Sequence, residues 1–285
     1  MSLDVKNLAV RSVSGLVYAG LLIGAVVLGG LAMAILCSVL AVFASYELNN
    51  NTIRRNNPSD WSPTYFIDAA SLVFMILGSY FVLEGNDLCV IFLIIMIFLR
   101  FFLQIFISQD KPLQSVSLYV FQLFYIGIPL SMLVLTVMAF SSNPWIVVCG
   151  LAMIWISDTG AYLVGSLFGR HKLFPRLSPK KSWEGLIGGL IFNIGAAFLY
   201  FYVFHLDNFL FITNVQGWIF IGICVTAFST LGDFFESMIK RSLGIKDFGK
   251  IIPGHGGVLD RIDSLLFVVP CVVAAIMIGS RMFIN

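Results

Sequence analysis

The stretch PGHGGVLDRID, residues 253–263, gathers three glycines, a histidine, an arginine and two aspartates in a chain with only 11% charged residues. Asp260 and Asp263 stand three apart at the expected start of a helix near Leu259, so they share one face. Upstream, Asp233, Glu236, Ser237 and Lys240 recur at i, i+3, i+4 and i+7, which again selects one helix face. Carboxylates from two helices can hold a hard cation. Magnesium takes carboxylate oxygens, keeps several waters and is commonly completed by substrate phosphates. Two or three of these carboxylates, from two helices, are therefore candidates to hold such a cation. The glycines have a matching use: Gly254, Gly256 and Gly257 admit positive φ and the close approach of a ligand. Consecutive free N–H groups can form an anion-binding nest, and a helix starting near Leu259 directs its positive end to the same place. Phosphate is the ligand that fits.

The bases around these acids point the same way. Residues 168–183 contain five Lys or Arg and no acid, and residues 240–263 contain five against Asp247, Asp260 and Asp263, a surplus of seven positive charges. Membrane topology and attraction to anionic lipid, worth about 1 kcal/mol per Lys or Arg, explain part of this. They do not explain the interspersed carboxylates, whereas a metal-dependent site for a nucleoside triphosphate needs both signs close together. Asp158 is a further acid within an apolar run, in WISDTGAYLVGSLFGRHK (155–172). Tyr162 lies one turn on along the same face, and Gly160, Gly165 and Gly169 permit close helix packing. Ionisable groups inside membrane spans are expensive, so Asp158 is a functional candidate. The alternative for it is an interhelical hydrogen bond without chemistry, and for Asp68, in the third span, solvation at the interface.

The elements that must position these groups are membrane helices. Of 285 residues, 59% are hydrophobic and 27 are Phe, more apolar surface than a soluble core can use. Runs long enough to cross a bilayer fall at 12–29, 30–47, 66–83, 88–107, 116–140, 145–167, 184–205, 217–239 and 264–280, with a tight turn at Gly29-Gly30 dividing the first two. The fold class is all-α, a polytopic membrane protein of about nine transmembrane helices. The first run is too long for a signal peptide core and no cleavage site follows it. With the N-terminus in the cytoplasm, fifteen of the seventeen Lys and Arg fall on the cytoplasmic side. This orientation implies a multi-pass protein of the cell inner or plasma membrane with its active site facing the cytoplasm. Arg100, inside the fourth span near its end, is expected to snorkel to the headgroups. The five cysteines have no paired spacing and read as small core residues. The Asn-rich segment 47–63 reads as a loop. Residues 1–140 are expected to form a transmembrane scaffold of about five helices. Residues 141–285 are expected to form the catalytic region, with basic cytoplasmic loops at 168–183 and 240–263.

The segment SMIKRSLGIKDFGKIIPGHGGVLDRID (237–263) closely resembles the signature of the phosphatidate cytidylyltransferases, or CDP-diacylglycerol synthases. Its positions are filled by Ser237, Lys240, Arg241, Lys246, Asp247, Gly249, Pro253, His255, Gly256, Gly257, Asp260, Arg261 and Asp263. FGRHKLFPRLSPKKSWEG (168–185) resembles the family's second motif through Ser178, Pro179, Lys180, Lys181 and Glu184, with Ser182 where Thr often stands. The resemblance implies that the phosphate of phosphatidic acid attacks the α-phosphorus of CTP, giving CDP-diacylglycerol and pyrophosphate. It implies Mg2+ as cofactor, leaving open a second cation, divalent or K+. On this expectation Asp233, Asp260 and Asp263 hold metal. Lys180, Lys181, Lys240, Arg241 and Lys246 hold the triphosphate and the lipid phosphate; Asp247, Ser237, Gly256 and Gly257 are further substrate-binding positions, with a helix-facing hydroxyl as the alternative for Ser237. Arg261 stabilises charge or orients a carboxylate, His255 donates to phosphate or organises the loop, and Asp158 completes the metal or cytosine site. CTP, phosphatidic acid and membrane lipids are the expected partners. No nucleic acid is expected, and a homodimer suits a compact helical membrane enzyme. Two rivals are a CTP-dependent lipid or polyprenol kinase, which would release CDP, and an ion-coupled transporter, which should show inverted repeats that are not visible.

Overall fold

The computed structural model describes residues 5–54, 64–106, 112–205, 215–249, 251 and 256–283, with side-chain surroundings for all of these except 5–12, 53–54 and 278–283. The helices are α1 (Val5–Leu28), α2 (Gly30–Asn49), α3 (Thr64–Leu83), α4 (Leu88–Phe106), α5 (Pro112–Gln122), α6 (Ile128–Ala139), α7 (Trp145–Phe168), α8 (Trp183–Tyr202), α9 (Val215–Ser242) and α10 (Leu259–Phe283). A π-helical turn, Leu123–Gly127, joins α5 to α6, so the two form one continuous span, Pro112–Ala139. Each expected span therefore has its helix. Among the described residues, seven helices are long and apolar enough to cross a membrane, and Val13–Leu28 is a shorter apolar stretch. The protein is an all-α polytopic membrane protein. Gly29, at φ 101°, makes the break between α1 and α2.

Two expectations of local secondary structure are corrected. The Asn-rich segment is not a loop from its start: α2 continues to Asn49 and a π-helical turn carries it through Asn50–Arg54, with Asn51 Nδ2 donating back to the Glu47 carbonyl at 2.8 Å. The basic stretch after α7 folds into a small antiparallel hairpin, β1 (Lys172–Phe174) with β2 (Ser178–Ser182).

The chain divides into two compact units. The first comprises residues 1–144 and 243–262. Its core is built on α2, whose Met33, Ala34, Cys37, Ala41 and Ala44 are fully buried, together with Leu72 and Ile76 of α3 and Leu130 and Val134 of α6. Arg100 does not snorkel. It is the one buried residue of α4, and its Nε donates to Asp68 Oδ1 at 2.7 Å while its other nitrogens donate to Gln104 Oε1 and Ser115 Oγ, each at 2.7 Å. Asp68 is only 2% exposed, so interface solvation does not explain it either. Paired charges with every fork nitrogen satisfied can be held inside, and the nearly continuous apolar run of α4 carries no hint of that partner. The cysteine reading holds for Cys37, which is buried, whereas Cys89, Cys149, Cys224 and Cys271 are only partly so.

The second unit comprises residues 145–242 and 263–285. Helices α7 and α8 meet through glycines. A Cβ on Gly160 would lie 3.0 Å from the Gly188 carbonyl oxygen, one on Gly185 2.9 Å from that of Ala161, and one on Gly189 2.9 Å from that of Ser157. Where lipid offers no hydrophobic drive, such close backbone approach supplies the packing that holds helices together. Against α8, α9 is fixed by a buried polar contact, Asn193 Nδ2 donating to Thr226 Oγ1 at 2.9 Å. The fully buried Trp218 packs edge-on against Tyr200 at 5.3 Å.

Candidate active site

In the second unit, the α7–α8 seam and the face of α9 enclose a cavity of about 460 Å³. Asp158 and Tyr162 line it from α7, Lys172, Lys180 and Lys181 from the hairpin, and Thr230 and Asp233 from α9. The helical spacing of Asp158 and Tyr162 thus does bring both to one face. Lys180 and Lys181 owe their place to how the hairpin is tied at its base. Glu184, in the first turn of α8, accepts from His171 Nδ1 at 2.6 Å and from the His171 backbone N–H at 3.2 Å, and Trp183 N–H donates to the His171 carbonyl at 2.9 Å. Ser182 caps α8 by accepting from Gly185 N–H at 3.1 Å. At the hairpin's other side Phe174 stands edge-on to Phe234 of α9, with centroids 5.1 Å apart. Lys181 lies over the same ring at 5.0 Å and forms an ion pair with Asp233.

Asp233 is the hub of a group of carboxylates. Its Oδ2 accepts from Lys181 and its Oδ1 from Ser264 Oγ at 2.7 Å. Gly232 allows this contact, since a Cβ there would lie 2.9 Å from the Asp263 carbonyl oxygen. Asp158 is within electrostatic reach of Asp233, and Asp263 of both Asp233 and Glu236. Glu236 is 2% exposed and accepts from Lys240 Nζ at 2.5 Å. Four carboxylates therefore share one region with two ammonium groups. Such an all-oxygen donor set suits a hard cation that neutralises the excess charge. Among the described residues no three His, Cys, Asp or Glu already converge as a cage, and a magnesium ion that keeps its waters and takes substrate oxygens requires none. Ser237 is half-buried on the same helix, and Arg241 is exposed at its end.

In the first unit, the glycine-rich loop leads into α10, which begins at Leu259 as its sequence predicts. Gly256 has φ 87°, a conformation that favours glycine. The backbone N–H groups around it are already engaged, however. Gly257 N–H donates to Asp260 Oδ2 at 2.8 Å, which also accepts from Phe248 N–H at 2.9 Å. Val258 and Leu259 N–H donate, each at 2.9 Å, to the two carboxylate oxygens of Glu47. Glu47 is 2% exposed at the last turn of α2. It was not a sequence candidate, because the run of asparagines after it read as a loop. An acid ending an apolar span was the available signal. Lys246 and Asp247 are exposed on this loop, and the Arg261 carbonyl accepts from Tyr18 Oη at 3.3 Å. His255 lies outside the described residues.

The relatives agree with the motifs. A "Phosphatidate cytidylyltransferase" of Haemophilus influenzae is 49% identical over 120 residues, covering 41% of this chain and 41% of that protein. One of Staphylococcus aureus is 47% identical over 122 residues, 41% of this chain and 44% of that protein, and one of Staphylococcus haemolyticus is 46% identical over 120 residues. In each case the matched stretch spans less than half of the relative's length. The profile of the cytidylyltransferase family runs much further, matching residues 9–278. A match over nearly the whole chain, on helices that carry the expected acids and lysines, places the protein in the cytidylyltransferase family.

Proposed function

We propose that the protein transfers a cytidylyl group from CTP to phosphatidic acid, giving CDP-diacylglycerol and pyrophosphate at the cytoplasmic face of the membrane. The observation that carries this reading is the cavity in which Lys180, Lys181, Asp158 and Asp233 face one another. In the reaction a phosphate oxygen of the lipid bonds to the α-phosphorus of CTP, and the bond from that phosphorus to the bridging oxygen of the β-phosphate breaks. Both partners are anions, so charge neutralisation and positioning supply most of the rate. The lipid phosphate is already ionised at neutral pH, and no side chain has to take a proton from it.

Lys180 and Lys181 are the groups of the cavity suited to phosphate oxygens. Asp233 holds the Lys181 ammonium in place through their ion pair. Lys240 and Arg241 add positive charge for the triphosphate and the lipid headgroup. Asp233 and Asp263 would hold Mg2+, which when bound supplies Lewis-acid neutralisation of the phosphates. Asp158 and Tyr162 face the cavity from α7, one as a hydrogen-bond acceptor and the other as a ring against which a base can stack.

The purified protein in detergent micelles, given Mg2+, phosphatidic acid and radiolabelled CTP, should yield pyrophosphate and a labelled lipid. Asp233→Asn should lower turnover by about 100-fold or more, the scale of losing a group that organises transition-state charge. Release of CDP with a phosphorylated acceptor would make the protein a lipid kinase instead, and no nucleotide turnover would refute the proposal.

A further inference from the structure

We infer that Glu47, far from the signature in sequence, is the positioning residue of the glycine loop, and that Gly249 and Gly257 are glycines to make room for its carboxylate. Three observations combine. The two oxygens of Glu47 take one backbone N–H each, from Val258 and Leu259, at 2.9 Å. These are donors at the start of α10, which has no residues before it to supply intrahelical partners. A buried carboxylate there satisfies them and meets the positive end of the helix.

The space is equally specific. A Cβ on Gly257 would lie 2.5 Å from Glu47 Oε2 and 2.6 Å from Oε1, and a Cβ on Gly249 would also run into Oε1. Neither glycine has a positive φ, whereas Gly256 does. Backbone conformation therefore explains Gly256 and the volume of Glu47 explains the other two. Finally, Asn51, one turn beyond Glu47, donates from Nδ2 to the Phe248 carbonyl at 2.6 Å. The end of α2 and the π-helical turn that follows it thus grip the loop at Val258-Leu259 and at Phe248. Between and beside those grips lie Lys246, Asp247, Asp260 and Arg261. The α10 N-terminus is consequently filled by a side chain of the protein itself and is not a seat for substrate phosphate. The loop's part in the reaction is to carry side chains in register.

The functional half of this inference rests on the proposed cytidylyl transfer, and the test separates the two. In Glu47→Gln the amide nitrogen meets an N–H donor, so one of the two bonds is lost while the shape is kept. Hydrogen–deuterium exchange of the purified protein in micelles should accelerate at Val258 and Leu259 by roughly ten- to a hundredfold, with α7 and α8 unchanged. With CTP and phosphatidic acid, kcat should fall by up to about 100-fold, the cost of a small misplacement of reacting groups, with KM for the lipid unchanged. Gly257→Ala should lose activity likewise. Combining it with Glu47→Asp, which withdraws the carboxylate by one methylene, should restore part of it. Unchanged exchange at Val258 and Leu259 in Glu47→Gln would overturn the inference, as would accelerated exchange with kcat at the parent level. A parent inactive toward CTP and phosphatidic acid whose Glu47→Gln variant still shows the accelerated exchange would refute the proposed reaction and uphold the grip.

Discussion

Replacing Arg100 by leucine should unfold the first unit far more easily than the apolar character of the new residue suggests. Arg100 is 0% exposed and Asp68 2%. The guanidinium gives three hydrogen bonds of 2.7 Å, to Asp68, Gln104 and Ser115, and its carbon lies 5.5 Å from the centre of the Tyr119 ring. Arg100→Leu leaves the Asp68 carboxylate buried without its counter-ion, a change that costs about 3–5 kcal/mol. At roughly 2–4 °C per kcal/mol for a chain of this size, Tm should fall on the order of 10 °C. The second half of the argument is sharper. Replacing both residues, Asp68→Leu with Arg100→Leu, removes the unpaired charge, and a buried ion pair exchanged for apolar groups is often close to neutral. The double variant should therefore be more stable than Arg100→Leu. Thermal unfolding in detergent can be followed with a thiol-reactive dye, since Cys37 is fully buried. A Tm for Arg100→Leu within about 2 °C of the parent, less than roughly 1 kcal/mol, would refute the reasoning and restore a snorkelling arginine. A double variant less stable than Arg100→Leu would do the same for the assumed role of charge.

Other outcomes follow from the second unit. Lys181→Met removes both the ion pair with Asp233 and the contact with the Phe234 ring; kcat/KM for CTP should fall about 100-fold, and parental kinetics would exclude Lys181 from phosphate binding. Gly188→Val places a Cβ against Val164 and 2.8 Å from the Gly160 carbonyl oxygen; overpacking there should cost about 1–3 kcal/mol in thermal unfolding, and an unchanged Tm would mean that the seam is looser than described. Ser182→Ala removes the cap on Gly185 N–H and should cost about 1 kcal/mol, read as a Tm shift that Ser182→Thr largely avoids. Chelation of divalent cations should stop turnover and added Mg2+ should restore it; turnover that persists in excess chelator would remove the metal from the mechanism.

Hydropathy made the helices legible because a bilayer demands about twenty apolar residues per crossing and leaves little freedom in where each begins. The stripe of Asp233, Glu236 and Lys240 was legible for the same kind of reason: a regular helix converts spacing into a face. What escaped were partnerships across long distances in sequence. Nothing near Arg100 announces Asp68, thirty-two residues earlier, and nothing in the glycine loop announces Glu47. Spacing identified an N-terminus fit to hold an anion but not that the anion is already supplied by the chain. The hairpin was missed because β1 has three residues and β2 five, too short for a periodic signal, and because it stands through its ties to Glu184, Phe234 and Asp233 and not through strand propensity.

The glycine seam between α7 and α8 has a consequence for how this protein can vary. Leu167, Ile187 and Ile191 are exposed on α7 and α8, and one bulky apolar side chain should replace another there with little effect. Along the seam the opposite holds. Gly160, Gly185, Gly188 and Gly189 contribute by having nothing to contribute, and any side chain added would be transmitted as a displacement of Asp158 on one helix and of the hairpin lysines on the other. The accuracy of the cavity is thus inherited from missing atoms. Freedom to drift should be concentrated on the outer surface and nearly absent at its smallest residues.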